Sequence, residues 1–298
     1  MKIFRSLYNG ILVSVKSWKG VMITWLFSLI MVSVLAIPLR GVLKSGLGSS
    51  MITEKLLDGF DPSVFSELGS SFKLIVSFLS AGLFILLIIG FLVNIFFAGG
   101  LFNSVRRSAG HRTFQEFFRS SARHFGSYLV ISLIVRILIN FSTGITFAIP
   151  VMIVATGNNF STKAIVIIVT AAIILTITVM SILLLVVDYA RAWQASNEKS
   201  GCFRALGFGF SETFSRFWSS FPMMLLILLI QVLYLITVFF LITGWNPLSG
   251  LQVFLLFLIS QILVFGKILL KTWRFGSVTS LMEENSIEVS QDQSAQVF

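Results

Sequence analysis

Long stretches of this chain carry no charge at all. None occurs between Lys19 and Arg40, and none from Phe217 to Gly266. Crossing the ~30 Å hydrocarbon layer takes about 20 apolar residues at 1.5 Å each. Lipid offers no hydrogen bonds, so such a stretch has to be a helix. The pattern predicts six spans: residues 20–39, within 74–101, within 125–154, 164–187, 221–242 and 251–270. The last two come from one uncharged run, too long for one helix and divided by "TGWNPLSG" at 243–250. Glycine, Asn-Pro and glycine in that segment break helices.

A second period precedes spans one, three and five. Ile3, Leu7, Ile11, Val15 and Trp18 recur at helical spacing. Phe114, Phe117, Phe118 and Phe125 do so in the second segment, and Phe203, Leu206, Phe210, Phe214 and Phe217 in the third. Basic residues lie mostly on the other faces. The expectation is three interfacial helices in the headgroup plane, apolar stripe toward lipid. Between spans one and two, "MITEKLLDGFDP" predicts two short helices, with Asp61-Pro62 as a helix start.

Composition agrees. Only 11% of the 298 residues are charged and 56% are hydrophobic, against roughly 25% charged in a soluble domain. A net charge of +10 raises nucleic acid as a partner, but loops on the cytoplasmic side of a membrane collect Lys and Arg. Sixteen basic residues fall on the side of the termini and five on the other, which places both termini in the cytoplasm. The run at 20–39 exceeds the apolar core of a signal peptide, so it reads as a retained span. The lone Cys202 excludes an internal disulfide. The tail at 281–298 is acidic and Gln/Ser-rich, and is expected to be disordered.

The same unit recurs three times, at about 1–105, 106–195 and 196–280. Each is an interfacial helix, a span, an external turn and a returning span. The returning spans end in "AGGLFNSVRR", "VVDYARAW" and "LLKTWRFGSV". The segments "FFAGGLFNSVRRSAG", "TFQEFF" and "VVDYARAW" with "CFRAL" resemble a broad group of bacterial multi-pass proteins. That group includes the membrane domain attached to some glycerophosphodiester phosphodiesterases and related uncharacterised proteins. The soluble phosphodiesterase domain is absent from this chain, so the resemblance implies an architecture and no activity.

Candidate chemistry is sparse. Asp188 ends span four with Arg191 one turn later, at a spacing that lets them pair. Two readings stand: a boundary ion pair, or an inward-facing Asp188 that pairs with a basic residue of another hairpin. Ser132, Arg136, Asn140 and Thr143 make a polar stripe on span three. An arginine in mid-membrane is costly and faces a bundle interior or water. Asn94, Gln231, Tyr234, Gln261 and Asp188 are its candidate acceptors. Here too the alternatives are snorkelling or satisfied packing, against a polar cavity or anionic-ligand site. His111 and His124 belong to no metal motif, and no intramembrane pair of carboxylates or nucleophile–base set is evident.

The sequence therefore predicts an all-α polytopic bundle of six transmembrane helices plus interfacial helices, in one domain over 1–280. It is expected to lie in a bacterial inner membrane, with no catalytic, cofactor or metal site. The expected partners are anionic headgroups, met by Arg106, Arg107, Arg112, Arg119 and Arg123 at ~1 kcal/mol per basic residue, and other membrane proteins or a second copy. Nucleic acid is not expected. An accessory or scaffold role is the first functional expectation. A transporter or lipid-handling role around Arg136 is the second.

Overall fold

The computed structural model describes residues 2–47, 69–106, 113–155, 161–197, 199–245 and 249–295. Among them lie eight helices and no strand: α1 Lys2–Lys16, α2 Trp18–Leu47, α3 Gly69–Val105, α4 Phe114–Ala155, α5 Thr162–Ser196, α6 Cys202–Ser215, α7 Phe217–Thr243 and α8 Gly250–Ala295. Six of these, α2 to α5 with α7 and α8, are long and apolar enough to cross a membrane. No more than 17% of any of their most apolar windows is buried, so those windows are built for a lipid solvent. The chain is an all-α, multi-pass membrane protein.

The expected spans fall inside these helices, and the 243–250 segment does separate α7 from α8. Four expectations need correction or fall outside view. The second interfacial helix is not separate: α4 runs unbroken from Phe114 into the span. Breaks do occur at Ser17 and Arg216. Ser17 turns its hydroxyl to the carbonyls of Val13 (2.8 Å) and Ser104 (3.0 Å), and Arg216 leaves helical geometry at φ −119°. Through the described part of the acidic tail the chain is helical, because α8 continues to Ala295. Leu281 is buried against α1, α5 and α7 residues, and Glu284 meets Arg5 at 3.3 Å, so the tail's first turn is tied down. The chain also divides into two compact units, Ile23–Asn94 on one hand and Met1–Met22 with Ile95–Phe298 on the other. The short helices expected around Asp61-Pro62, together with Arg107, His111 and Arg112, lie outside the described residues.

In the smaller unit α2 and α3 touch where Leu35 lies against Gly82; a Cβ there would stand 2.5 Å from the Leu35 Cδ1. The larger unit is held by three helix crossings on small residues. The first crosses α1 over α8. A Cβ on Gly10 would stand 2.7 Å from the Ser277 backbone nitrogen, so only glycine admits the approach. Ser6 donates to the Ser277 carbonyl at 2.7 Å, and the Trp273 indole donates to the Leu7 carbonyl at 3.0 Å. The second crosses α6 over α5, where a Cβ on Gly209 would stand 2.5 Å from the Val186 carbonyl oxygen. The third sets the start of α4 on the end of α3, where Gly99 faces the Ser121 backbone at 3.1 Å. Each crossing joins the segment that leads into one hairpin to the returning helix of another.

Small side chains permit this. Ser6, Gly10 and Ser14 are buried at four-residue spacing on α1, and Ala205, Gly209 and Thr213 repeat it on α6. Without a hydrophobic force between helices in lipid, close backbone approach and polar contacts supply the association. Part of the expected apolar stripe faces outward: Ile11, Val15 and Trp18 beside α1, and Phe203 and Phe214 on α6, are exposed, and Phe4 and Tyr8, outside that stripe, are exposed as well. Leu7, expected on that stripe, is buried instead.

Candidate functional site

The C-terminal ends of α3 and α5 and the middle of α8 meet the N-terminal part of α4 in one buried cluster. Its centre is Asp188, whose side chain is 0% exposed. Two cations reach it. Arg191, one turn on, stands 3.9 Å from Oδ1. Arg274 of α8 places Nε 2.8 Å from Oδ2. Both of the open readings of Asp188 are thus present in the geometry, and the contact across hairpins is the shorter. Neither carboxylate oxygen receives an aligned hydrogen bond among the described residues, so these contacts are coulombic more than directional.

Tyr128 of α4 organises the Arg191 side. Its hydroxyl donates to the Arg191 carbonyl at 2.7 Å. Ser132, one turn along, donates to the Tyr128 carbonyl and accepts from Arg191 Nη2 at 2.6 Å. Serine can fill both roles at once because its hydroxyl has one proton and two lone pairs. The Arg191 guanidinium also lies 5.8 Å from the Tyr128 ring centre.

A row of rings backs the cluster. His124 stacks on Tyr128 at 5.6 Å, Phe102 meets Tyr128 edge-on at 6.0 Å, and Phe102 stacks on Phe275 at 4.3 Å. Arg274 and Lys271 both lie over the Phe275 ring, at 5.4 and 5.5 Å. Cations over ring faces gain about 0.5–2 kcal/mol, more when shielded from water. Arg106 closes the group. Its Nη1 donates to the Ala195 carbonyl at 2.6 Å, one of the α5 carbonyls that has no partner within the helix.

The other residues singled out in the sequence are placed as follows. Ser132 and Asp188 are buried and are joined through Arg191. Arg136 and Asn140, the next two positions of the same stripe, are exposed on α4. The buried charges gather on Asp188, with Arg136 outside that buried set. Gln231 bridges α7 to the Leu270 carbonyl of α8 at 3.4 Å, Tyr234 donates to the Leu263 carbonyl at 2.5 Å, and Gln261 is half-buried. Asn94 is exposed in the smaller unit. Arg119 and Arg123 are exposed, as headgroup contacts require, whereas Arg106 is turned inward onto α5.

Three contributors escaped the sequence reading of the site: Tyr128, Lys271 and Arg274. The two basic residues counted only as orientation signals. One signal was available. Every four residues, α4 carries a polar group at His124, Tyr128 and Ser132, a stripe that runs straight into Arg136. Among the described residues no group of His, Cys, Asp and Glu could hold a metal ion. No family model, curated protein or solved structure matches the chain.

Proposed function

We propose that this chain is a non-enzymatic accessory or scaffold protein of a bacterial inner membrane, one that packs with other membrane proteins or organises lipid. The observation that carries the reading is the apolar surface of α7 and α8. Leu233, Phe239 and Phe240 on α7, and Leu251, Val253 and Phe254 on α8, are all exposed over the far halves of their helices. Among the described polar side chains Ser6, Tyr189, Gln231 and Trp273 join one helix to another. An orientation with both termini in the cytoplasm is supported by the sixteen-to-five division of basic residues. A threefold hairpin repeat is supported by the three crossings on small residues. The likeness to the phosphodiesterase-linked membrane domain supports the architecture only.

Photo-crosslinkers placed at Leu233 and Phe254 in intact cells test the role. A scaffold should give a discrete protein–protein adduct from at least one of them. Lipid adducts alone from both would reject protein scaffolding. For the orientation, a cysteine introduced at Arg119 should resist an impermeant thiol reagent applied from outside.

A second reading, a transporter or lipid-handling protein with a polar cavity around Arg136, is favoured by one observation. Arg136 is exposed within a span and one turn from Ser132 of the buried cluster. Arg136→Ala should then abolish ligand binding while leaving insertion intact, and unchanged binding rejects it.

A further inference from the structure

Two spans are entered through a break, and both breaks are built alike. α1 ends at Lys16 and α2 begins at Trp18; α6 ends at Ser215 and α7 begins at Phe217. Each span then carries an exposed tryptophan in its first turn, Trp18 at 53% and Trp218 at 86%. Trp218 is the most exposed large apolar side chain among the described residues. α4, which has no break, has no tryptophan either. An exposed tryptophan at the end of a span suits the boundary between acyl chains and headgroups, because its ring is apolar and its indole N–H is polar.

The level agrees. α1 crosses α8 where Gly10 faces Ser277. From Gly250 to Ser277 α8 rises about 40 Å at 1.5 Å per residue, beyond the ~30 Å hydrocarbon layer. α1 therefore lies at headgroup level, and its surface divides three ways. Ser6, Leu7, Gly10 and Ser14 are buried toward the bundle. Phe4, Tyr8, Ile11, Leu12 and Val15 form an exposed apolar face. Arg5 and Lys16 run along the edge of that face. A helix tied to the end of a span, with an exposed apolar face and a basic edge, fits the surface of a bilayer.

The two corners differ in charge. At the α6–α7 corner Arg216 is neutralised by Glu212 at 3.0 Å. At the α1–α2 corner Lys16 and Lys19 flank Trp18 and are exposed. Neither lysine meets a carboxylate among the described residues, whereas Arg5, further along α1, meets Glu284 at 3.3 Å. Two exposed cations beside a membrane-seated indole favour a negatively charged headgroup.

We propose that the α1–α2 corner, made of Lys16, Trp18 and Lys19, is a recognition surface for anionic phospholipid headgroups, and that the α6–α7 corner at Trp218 anchors in the same layer without a charge preference. This deepens the lipid-organising arm of the function proposed above and rests on it. Protein scaffolding is judged separately, by the cross-linkers at Leu233 and Phe254.

The test places the full chain in nanodiscs of phosphatidylglycerol and phosphatidylcholine with matched acyl chains. Native mass spectrometry reads the ratio of the two lipids retained. In the same discs, phosphatidylglycerol with a photoreactive headgroup is irradiated and its adducts are mapped. Phosphatidylglycerol should be enriched, and an adduct should fall within residues 12–22. Lys16→Gln with Lys19→Gln should cut the enrichment about fivefold for each lysine. Lys16→Arg with Lys19→Arg should preserve it, and Trp218→Ala should leave the ratio unchanged. These three lysine and tryptophan positions are exposed, so the variants keep the packing of the bundle. The proposal is overturned if wild type retains both lipids equally, if no adduct falls in that segment, or if the double Gln variant keeps the wild-type ratio. Equal retention rejects the corner alone; no retained lipid of either kind removes the lipid-organising reading as well.

Discussion

The two halves of α5 obey opposite rules. From Val166 to Met180 the helix is Ile-, Val- and Leu-rich and mostly exposed; Ala172 is its one buried residue. From Ser181 to Ala195 it carries Asp188, Tyr189, Gln194 and several alanines, and most of that half is buried. In a water-soluble protein the apolar half would be the core. Here lipid solvates the greasy half. The small and polar half is where helices can approach and where donors and acceptors need each other. Hydropathy therefore does not separate surface from interior here: Leu185, Met223 and Phe275 are buried beside serine, glycine, alanine and charge.

Four substitutions break or sharpen that contrast. The largest effect is expected from Asp188→Ala, which strands Arg191 and Arg274 without their counter-charge. It should cost about 3–5 kcal/mol in reversible unfolding by sodium dodecyl sulfate in mixed micelles. A loss under 1 kcal/mol would mean the buried pair is not structural. Gly209→Ala comes next. The new methyl must displace the Val186 carbonyl across the α5–α6 crossing, and overpacking of this kind costs about 1–3 kcal/mol. Wild-type stability in the same assay would show that the helices are less close than described. Tyr128→Phe removes one hydroxyl bond to the Arg191 carbonyl and should cost about 0.5–1.5 kcal/mol. A double-mutant cycle with Ser132→Ala should show coupling, because both side chains fix Arg191. The smallest change has the opposite sign. Gly126 sits inside α4 with open space where a Cβ would go, so Gly126→Ala should stabilise by about 0.5–1 kcal/mol. If Gly126→Ala and Gly209→Ala behave alike, glycine spacing carries no information about crossings in this protein.

Legibility followed the same division. The six spans were plain in the sequence because a ~30 Å apolar solvent imposes a length that any charge interrupts. The turn at 243–250 was plain because Asn-Pro and glycine cannot continue a helix. The outward positions Ile11 and Val15 of α1 and Phe203 and Phe214 of α6 were readable from period alone. The crossings were harder. Ser6, Gly10 and Ser14 share four-residue spacing with Ala205, Gly209 and Thr213, but the apolar stripe beside them dominates the local pattern. The fusion of the second interfacial segment into α4 was not readable, since Gly126 permits either a break or a continuous helix. Helix through the acidic tail was not readable either. Its first turn depends on Leu281 and Glu284 meeting partners contributed by other helices.

The sequence by itself determined the solvent, the number of spans and their class of secondary structure. Those follow from local composition and from the rule that a backbone in lipid must bond to itself. It also determined that Asp188 and Arg191 lie one turn apart. Tertiary structure alone decided that Arg274, from a different hairpin, comes closer to Asp188 than Arg191 does. It also decided that Arg136, the most conspicuous charge in any span, stays outside the buried cluster. The physical reason is range. Hydropathy and helix length are sums over neighbours in sequence, whereas a buried charge takes whichever partner the crossing of helices brings within a few ångströms.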